Sequence, residues 1–123
     1  MGNIVPSAGL ARKLVEGLPS VDVGVIFDPG NMICEGYVDW DMSLDVLGEY
    51  LAHVHVKNSM WIKKDTSWQF TWATKDEGMV NWSEVISTLK RHGYKGYLSV
   101  EDFSDVKPVD KLCNWLNFFK SIL

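Results

Sequence analysis

Groups that could bind a metal or a polar ligand are concentrated in one stretch of six residues, His53-Val54-His55-Val56-Lys57-Asn58. If this stretch is a β-strand, the alternation of side chains places both imidazoles and the Lys57 ammonium on one face and both valines on the other. The valine face would be buried in a core. The imidazole face would make a poor core and a good wall for a binding site.

Two other apolar runs each end in a carboxylate. Asp28 follows residues 23–27, and Glu101 follows residues 97–100. Parallel α/β proteins place their chemistry at the carboxyl ends of their strands, so we expect Asp28, His55 and Glu101 to converge if their faces point the same way. Two carboxylates and one imidazole suit Mn²⁺, Mg²⁺, Co²⁺ or Zn²⁺, with positions left open for substrate oxygens.

Several of these polar residues have competing interpretations. Asp28 precedes a Pro-Gly pair and could serve only as an Asx-turn residue. His53 lies deeper in its strand than His55, which favours a hydrogen-bonded packing role over contact with a ligand. Lys57 is either solvated at the rim or in contact with substrate. Asp102 points away from Glu101 and is expected to form a salt bridge or a cap.

The spacing of apolar residues predicts the order α-β-α-β-α-β-α, with right-handed crossovers and three parallel strands. Strands are predicted over residues 21–28, 52–58 and 96–102, and helices over 8–16, from 43, from 81 to His92-Gly93, and from 108. The last helix is predicted to bury one broad face, formed by Val109, Leu112, Cys113, Leu116 and Phe119. A sheet of three strands would leave two bare edges.

Two segments are predicted to lie outside this alternation. Residues 28–31, Asp-Pro-Gly-Asn, are predicted to form a loop after the first strand. Residues 59–80 are unusually long for a connection, and the alternation of Trp68, Phe70 and Trp72 suggests a strand or a hairpin arm. Together with Trp61, these aromatic side chains could form either the core of the loop or a platform for a sugar.

The composition excludes several classes of protein. A length of 123 residues, 46% hydrophobic and 23% charged, predicts a single domain over residues 1–123. The net charge of -4 argues against nucleic-acid binding. No apolar run reaches the length of a membrane span, the first residues lack the apolar region typical of a signal peptide, and the sequence contains no nucleophile elbow or nucleotide-binding loop motif. Cys34 and Cys113 form no CxxC motif and are expected to be reduced and buried, which favours the cytoplasm.

Four segments, residues 25–32, 52–58, 77–82 and 93–101, resemble in order and spacing a known set of motifs. They are similar to the C-terminal half of the xylose-isomerase-like TIM-barrel superfamily, the sugar phosphate isomerases and epimerases related to endonuclease IV. The most specific elements are His-x-His-x-Lys and Gly-Tyr-x-Gly-x-x-x-x-Glu. The resemblance implies an α/β fold that is about half of a TIM barrel with parallel strands. The bare sheet edges and the open interior of such a half-barrel predict that it is paired with another copy.

The resemblance also implies roles for individual residues. Members of the superfamily bind one divalent metal through Glu, Asp, His and Glu, and the last three of these match Asp28, His55 and Glu101. The final Glu also serves as one of two acid/base residues that move a proton beside a carbonyl. Asn31 stands at the position where many members have a substrate-binding His. The expected substrate contacts are Asn31, His53 and Lys57.

Two departures from the superfamily limit what the resemblance implies. Asn58 stands where many members have Asp, which disfavours an endonuclease IV-like site with several metals. A complete barrel takes about 250 residues, and the first metal-binding Glu, the other acid/base residue, is expected upstream of Met1. We therefore expect weak metal binding and little isomerase activity from the isolated chain.

The favoured hypothesis is a truncated member of the divalent-metal-dependent sugar or sugar phosphate isomerases and epimerases. The alternative is a non-catalytic half-barrel module that self-associates through its exposed sheet edges. A DNA-repair endonuclease is disfavoured, because the chain lacks the further histidines and the basic surface.

Overall fold

The computed structural model describes residues 5–36 and 39–123. In chain order the elements are α1 (Ala8–Val15), β1 (Val25–Phe27), α2 (Pro29–Glu35), α3 (Trp40–Leu47), β2 (Leu51–Val56), β3 (Asn58–Lys64), β4 (Ser67–Ala73), α4 (Trp82–Arg91), β5 (Leu98–Val100) and α5 (Pro108–Ile122). A 3₁₀ turn over Gly48–Tyr50 leads from α3 into β2. Within the described ranges, no helix is long and apolar enough to cross a membrane.

Strands β1, β2 and β5 form one parallel sheet in the order β1-β2-β5. This arrangement confirms the predicted α/β class. The outer strands are shorter than predicted, since β1 begins only at Val25. Upstream of it, the backbone N–H groups of Asp22 and Val23 donate to the carbonyl of Pro19, and this turn keeps residues 21–24 out of the sheet.

The two faces of β2 differ as its alternation predicts. Val54 and Val56 are fully buried, whereas His53 and His55 are half-buried on the opposite face. The valine face packs into the core, whose other members include Phe27, Leu44, Leu47, Val85, Ile86, Leu89 and Trp115. The hydrophobic core therefore occupies one side of the sheet and leaves the other side to the polar groups.

Helix α2 begins where the sequence predicted a loop. The Asp28 carboxylate caps it, since Asp28 Oδ1 accepts a hydrogen bond from the Asn31 backbone N–H at 3.1 Å. Pro29 occupies the first helical position, where a missing N–H costs nothing. Gly30 allows a close approach, because a Cβ at this position would lie 2.5 Å from Lys57 Cγ. Residues typical of a turn thus begin a helix here.

Helix α3 begins at Trp40, three residues before the predicted start at Ser43. Asp39 is the cap, and its Oδ1 accepts from the Met42 backbone N–H at 2.9 Å. Ser43 lies buried inside the helix instead of capping it. The buried indole of Trp40 belongs to the core, so the first turn is held by packing as well as by its cap.

Both predicted ends of α4 are confirmed. Asn81 caps the helix, with its side chain accepting from the Glu84 backbone N–H at 3.3 Å. His92 is the C-cap, and Gly93 follows with a φ of 69°. His92 Nε2 also lies 2.9 Å from Asp41 Oδ1, which joins the end of α4 to α3.

Helix α5 begins at Pro108 as predicted but buries a different face. Trp115 is fully buried, while Val109, Leu112 and Leu116 are exposed by 69%, 64% and 54%. The side chains at 115, 118, 119 and 122 have the same helical spacing as the predicted stripe and three of them are aromatic, so they bury more apolar area against the core. Of the predicted face, only Phe119 packs against the core.

The prediction of two buried thiols is also wrong. Cys113 lies on the exposed side of α5, and Cys34 in α2 is half-buried.

Strands β3 and β4 form an antiparallel hairpin, which confirms the predicted arm in residues 59–80. The Lys64–Ser67 pair closes the hairpin around a turn that includes Asp65, with a φ of 53°. Trp61 and Phe70 face each other across the pair, with ring centroids 5.7 Å apart. The hairpin continues directly from β2, so its base lies beside the polar face of the sheet.

Asn58 fixes the base of this hairpin. It is 2% exposed, and its Nδ2 donates to the carbonyls of Lys75 at 2.9 Å and Val80 at 3.1 Å. Its Oδ1 accepts from the backbone N–H groups of Ser59 and Val80, each at 2.9 Å. All four hydrogen bonds serve the backbone, so this residue has a structural role.

Asp102 joins the end of β5 to α5. Its carboxylate accepts from the Trp115 indole N–H at 2.8 Å and from Ser104, and it lies 4.0 Å from the Lys111 ammonium. Burial alone would raise the pKa of Asp102, but the hydrogen bonds from Ser104 and Trp115 and the charge of Lys111 outweigh burial and lower it. The predicted salt bridge is therefore present, together with a local turn.

Asp102→Asn is expected to flatten the pH dependence of the melting temperature in acid. Because the folded pKa lies below the ordinary value of 3.8, the carboxylate stabilises the folded chain above that pH and loses this contribution as the pH falls through the folded pKa. Thermal unfolding between about pH 2 and pH 5, followed by circular dichroism, measures this slope. Asp105→Asn, an exposed neighbour, is the control and should keep the wild-type slope.

Candidate metal site

Three strands deliver the predicted cluster to one place. Asp28 follows β1, His55 lies near the end of β2 and Glu101 follows β5, with donor atoms within 4.8 Å of one another. His55 Nδ1 is 3.2 Å from Glu101 Oε2 and 3.6 Å from Asp28 Oδ2. This set of two carboxylates and one imidazole can hold a metal ion of the Mn²⁺, Mg²⁺, Co²⁺ or Zn²⁺ type.

Lys57 lies between the two carboxylates of the cluster. Its Nζ is 2.8 Å from Asp28 Oδ2 and 2.8 Å from Glu101 Oε2. Burial alone would lower the pKa of Lys57, but the two carboxylates outweigh burial and raise it. The hydrogen bond from Lys57 in turn lowers the pKa of Glu101. Lys57 is only 5% exposed, so the alternative of a solvated lysine at the rim is wrong.

The surroundings of Lys57 hold its whole side chain. Gly30 passes beside its Cγ, and the rings of Trp72 and Phe103 lie 5.4 and 5.5 Å from its Nζ. The Trp82 indole donates to the Lys57 carbonyl at 3.2 Å. Favourable cation–π contact therefore adds to the two ion pairs in holding the ammonium.

The other two predicted substrate contacts are also bonded within the protein. His53 Nε2 lies 2.8 Å from Ser99 Oγ, which is the hydrogen-bonded packing that its deeper position favoured. Its ring still meets that of His55 edge to face at 5.5 Å. Asn31 Nδ2 donates to Asp28 Oδ2 at 2.9 Å, so Asn31 orients a carboxylate of the cluster.

Gly30 and Phe103 contribute to the site and were missed from the sequence. In the sequence Gly30 is typical of a turn, and only the structure shows that it allows a close approach to Lys57. Phe103 follows Glu101 by two residues and meets Trp72 with ring centroids 5.1 Å apart. The alternating aromatic residues of β4 indicated that Trp72 could line a site. No local sequence pattern indicates that β4 contacts the loop after β5, where Phe103 lies.

A cavity of about 350 Å³ opens beside the cluster. Asp28, Asn31 and His55 contribute to its wall, together with apolar side chains of α1, β1 and α2. A small molecule in this cavity would have direct access to a carboxylate and the imidazole.

A ligand cluster at the carboxyl ends of parallel strands, with helices over the other face of the sheet, is typical of TIM-barrel-type α/β proteins. The chain belongs to the xylose isomerase-like TIM-barrel family, whose model matches residues 1–119. This membership confirms the resemblance of the sequence motifs. Among curated proteins, none matches the chain significantly.

Solved structures show the same fold. A xylose isomerase domain protein from Planctomyces limnophilus is 25% identical, with a TM-score of 0.76 over 94% of this chain and 43% of that one. A D-allulose 3-epimerase from Methylomonas sp. in complex with D-allulose is 19% identical, with a TM-score of 0.68 over 99% and 44%. A D-psicose 3-epimerase studied with D-fructose is 16% identical, with a TM-score of 0.69 over 99% and 45%. The chain spans less than half the length of each, and it has the fold of a partial TIM barrel.

Proposed function

We propose that this chain carries part of the active site of a sugar or sugar phosphate isomerase or epimerase that moves a proton beside a carbonyl. The observation that carries the proposal is the convergence of Asp28, His55 and Glu101 at the strand ends, with donor atoms within 4.8 Å. These three residues would hold one divalent ion, Mn²⁺, Mg²⁺, Co²⁺ or Zn²⁺. When bound, the ion supplies Lewis-acid polarisation of the substrate carbonyl.

Glu101 is the proposed acid/base residue. Its side chain is 35% exposed, against 13% for Asp28 and 24% for His55, so it is the most accessible of the three. In the metal-free chain the hydrogen bond from Lys57 lowers its pKa, so its carboxylate is ionised at neutral pH, the form that can accept a proton. Its backbone N–H donates to the Val56 carbonyl at 2.8 Å, which fixes its position relative to β2.

Asn31, His53 and Lys57 are the proposed substrate contacts. All three lie around the cluster, and each carries a side chain that can donate a hydrogen bond to a sugar hydroxyl or phosphate oxygen. Their internal partners, Asp28, Ser99 and Glu101, would keep them oriented before a sugar binds.

Family membership favours this enzymatic hypothesis over the alternative of a non-catalytic module. Pairing of two copies remains a prediction of its own. Among the described residues, β1 and β5 are the edges of the parallel sheet, and Ile26 on β1 is half-exposed, which supports it.

A solvent-exchange experiment tests the proposed function with this chain as it stands. With saturating Mn²⁺ in D₂O, one base is sufficient to exchange the proton beside the carbonyl, whereas net epimerisation needs a second base on the other face. We expect slow deuterium incorporation into a ketose of a panel that includes D-allulose, D-fructose and their phosphates, measured by NMR. The controls are Mn²⁺ without protein and the Asp105→Asn variant. Incorporation no faster than with Mn²⁺ alone, across the panel, contradicts the proposal.

A further inference from the structure

The Lys57 ammonium bridges two of the three side chains of the candidate metal site. It is 2.8 Å from Asp28 Oδ2 and 2.8 Å from Glu101 Oε2, the same two oxygens that face His55 Nδ1. We propose that Lys57 is the resident cation of this site and that a divalent ion must displace it, so that ammonium and metal compete for one pair of carboxylates. The inference rests on the proposed metal site and adds a residue that sets its affinity.

The geometry favours competition over joint occupancy. A metal bound by Asp28, His55 and Glu101 would lie about 2.0–2.6 Å from each donor atom. An ion at those distances from both carboxylates would fall within the space that Nζ now fills at 2.8 Å from each. Two cations this close repel strongly, because the buried side chain of Lys57 is poorly screened by water.

The protein supports the lysine along its whole length. Gly30 leaves room for its Cγ, where a Cβ would come within 2.5 Å. Trp72 and Phe103 present their rings to the ammonium at 5.4 and 5.5 Å. These rings would still attract the ammonium after it leaves the carboxylates. Displacement therefore moves the charge over a short distance and frees its N–H groups for a substrate oxygen.

Mn²⁺ titration by calorimetry tests the competition. Lys57→Met keeps the length of the stem and removes the charge, so we expect it to bind Mn²⁺ at least about tenfold more tightly than the wild type. Lys120→Met is the matched control, because Lys120 is exposed in the last turn of α5, and it should leave the affinity unchanged.

Thermal unfolding adds a readout that a merely structural lysine would not give. Without metal, Lys57→Met should melt at a lower temperature than the wild type, because Asp28 and Glu101 lose their shared counter-charge. With saturating Mn²⁺ this difference should vanish or change sign. A lysine needed only for packing would give the same difference in both conditions.

A measurement on the wild type avoids any dependence on variants. Acetylation by acetic anhydride, followed by mass spectrometry, should label Lys57 severalfold more with Mn²⁺ than without it, relative to Lys111. If calorimetry shows that Mn²⁺ is bound to the wild type, unchanged labelling overturns the inference even if the Lys57→Met protein fails to fold.

The outcomes separate this inference from the proposed function. Equal or weaker Mn²⁺ binding by Lys57→Met, with binding by the wild type, overturns the role of Lys57 alone. Binding only by Lys57→Met supports the role of Lys57 and contradicts metal-dependent function in the wild-type chain. Binding by neither protein overturns both.

Discussion

Glu101→Gln is expected to weaken Mn²⁺ binding by about 100-fold, roughly 2.8 kcal/mol, and to abolish deuterium exchange even when Mn²⁺ is saturating. The amide has nearly the shape of the carboxylate but carries no charge for the metal and cannot accept the substrate proton. Glu101 already interacts with Lys57 and His55, so its carboxylate points into the cluster. Calorimetry measures the first effect, and NMR in D₂O measures the second.

Asp28→Asn separates the role of metal ligand from the role of base. It should weaken Mn²⁺ binding as well, yet exchange should return when the Mn²⁺ concentration is raised, because Glu101 remains. Asparagine is as good a helix cap as aspartate, so α2 should stay intact in this variant. If the Glu101→Gln variant still catalyses deuterium exchange into the substrate at saturating Mn²⁺, another residue is the base.

Asn58→Asp is expected to destabilise the chain by about 3 kcal/mol and to add no second metal. The substitution places a carboxylate oxygen where Nδ2 now donates to the carbonyls of Lys75 and Val80. An ionised carboxylate would repel both carbonyls in a nearly water-free position, and a protonated one could donate to only one of them. Urea unfolding measures the loss, and Mn²⁺ titration measures the stoichiometry.

Asn81→Asp is the matched control for this prediction. Asn81 is exposed and accepts a hydrogen bond from Glu84 N at the start of α4, where a carboxylate also caps well. The same chemical change should therefore be neutral or slightly stabilising there. A second Mn²⁺ bound by Asn58→Asp would restore the interpretation of this position as a metal ligand.

The sequence predicted the site better than it predicted the helices around it. Alternation along β2 correctly placed His53, His55 and Lys57 opposite the valines, because period-2 geometry is a local property of a strand. The convergence of Asp28, His55 and Glu101 followed from parallel topology, which brings strand ends to one edge.

What the sequence could not predict depends on contacts between distant segments. Helix α2 was missed because Gly30 serves a close approach to Lys57, and a glycine in the sequence does not show what lies opposite it. The prediction of the buried face of α5 was wrong because the helix carries two apolar stripes with the same spacing. Only the packing of the complete core determines that the stripe with Trp115 is the buried one. Alternation predicted the face of the strand on which Lys57 lies, but it could not predict that the ammonium of Lys57 would reach Asp28 and Glu101.

The two carboxylate oxygens of Asp28 have different partners. Oδ1 holds the first turn of α2 through the Asn31 backbone, while Oδ2 faces the cation. A cation that restrains the carboxylate also restrains that turn, and loss of the cation leaves the carboxylate held by its two hydrogen bonds from Asn31. Cation occupancy and the local unfolding of α2 are therefore linked equilibria, so an ion at the sheet edge stabilises backbone it never touches.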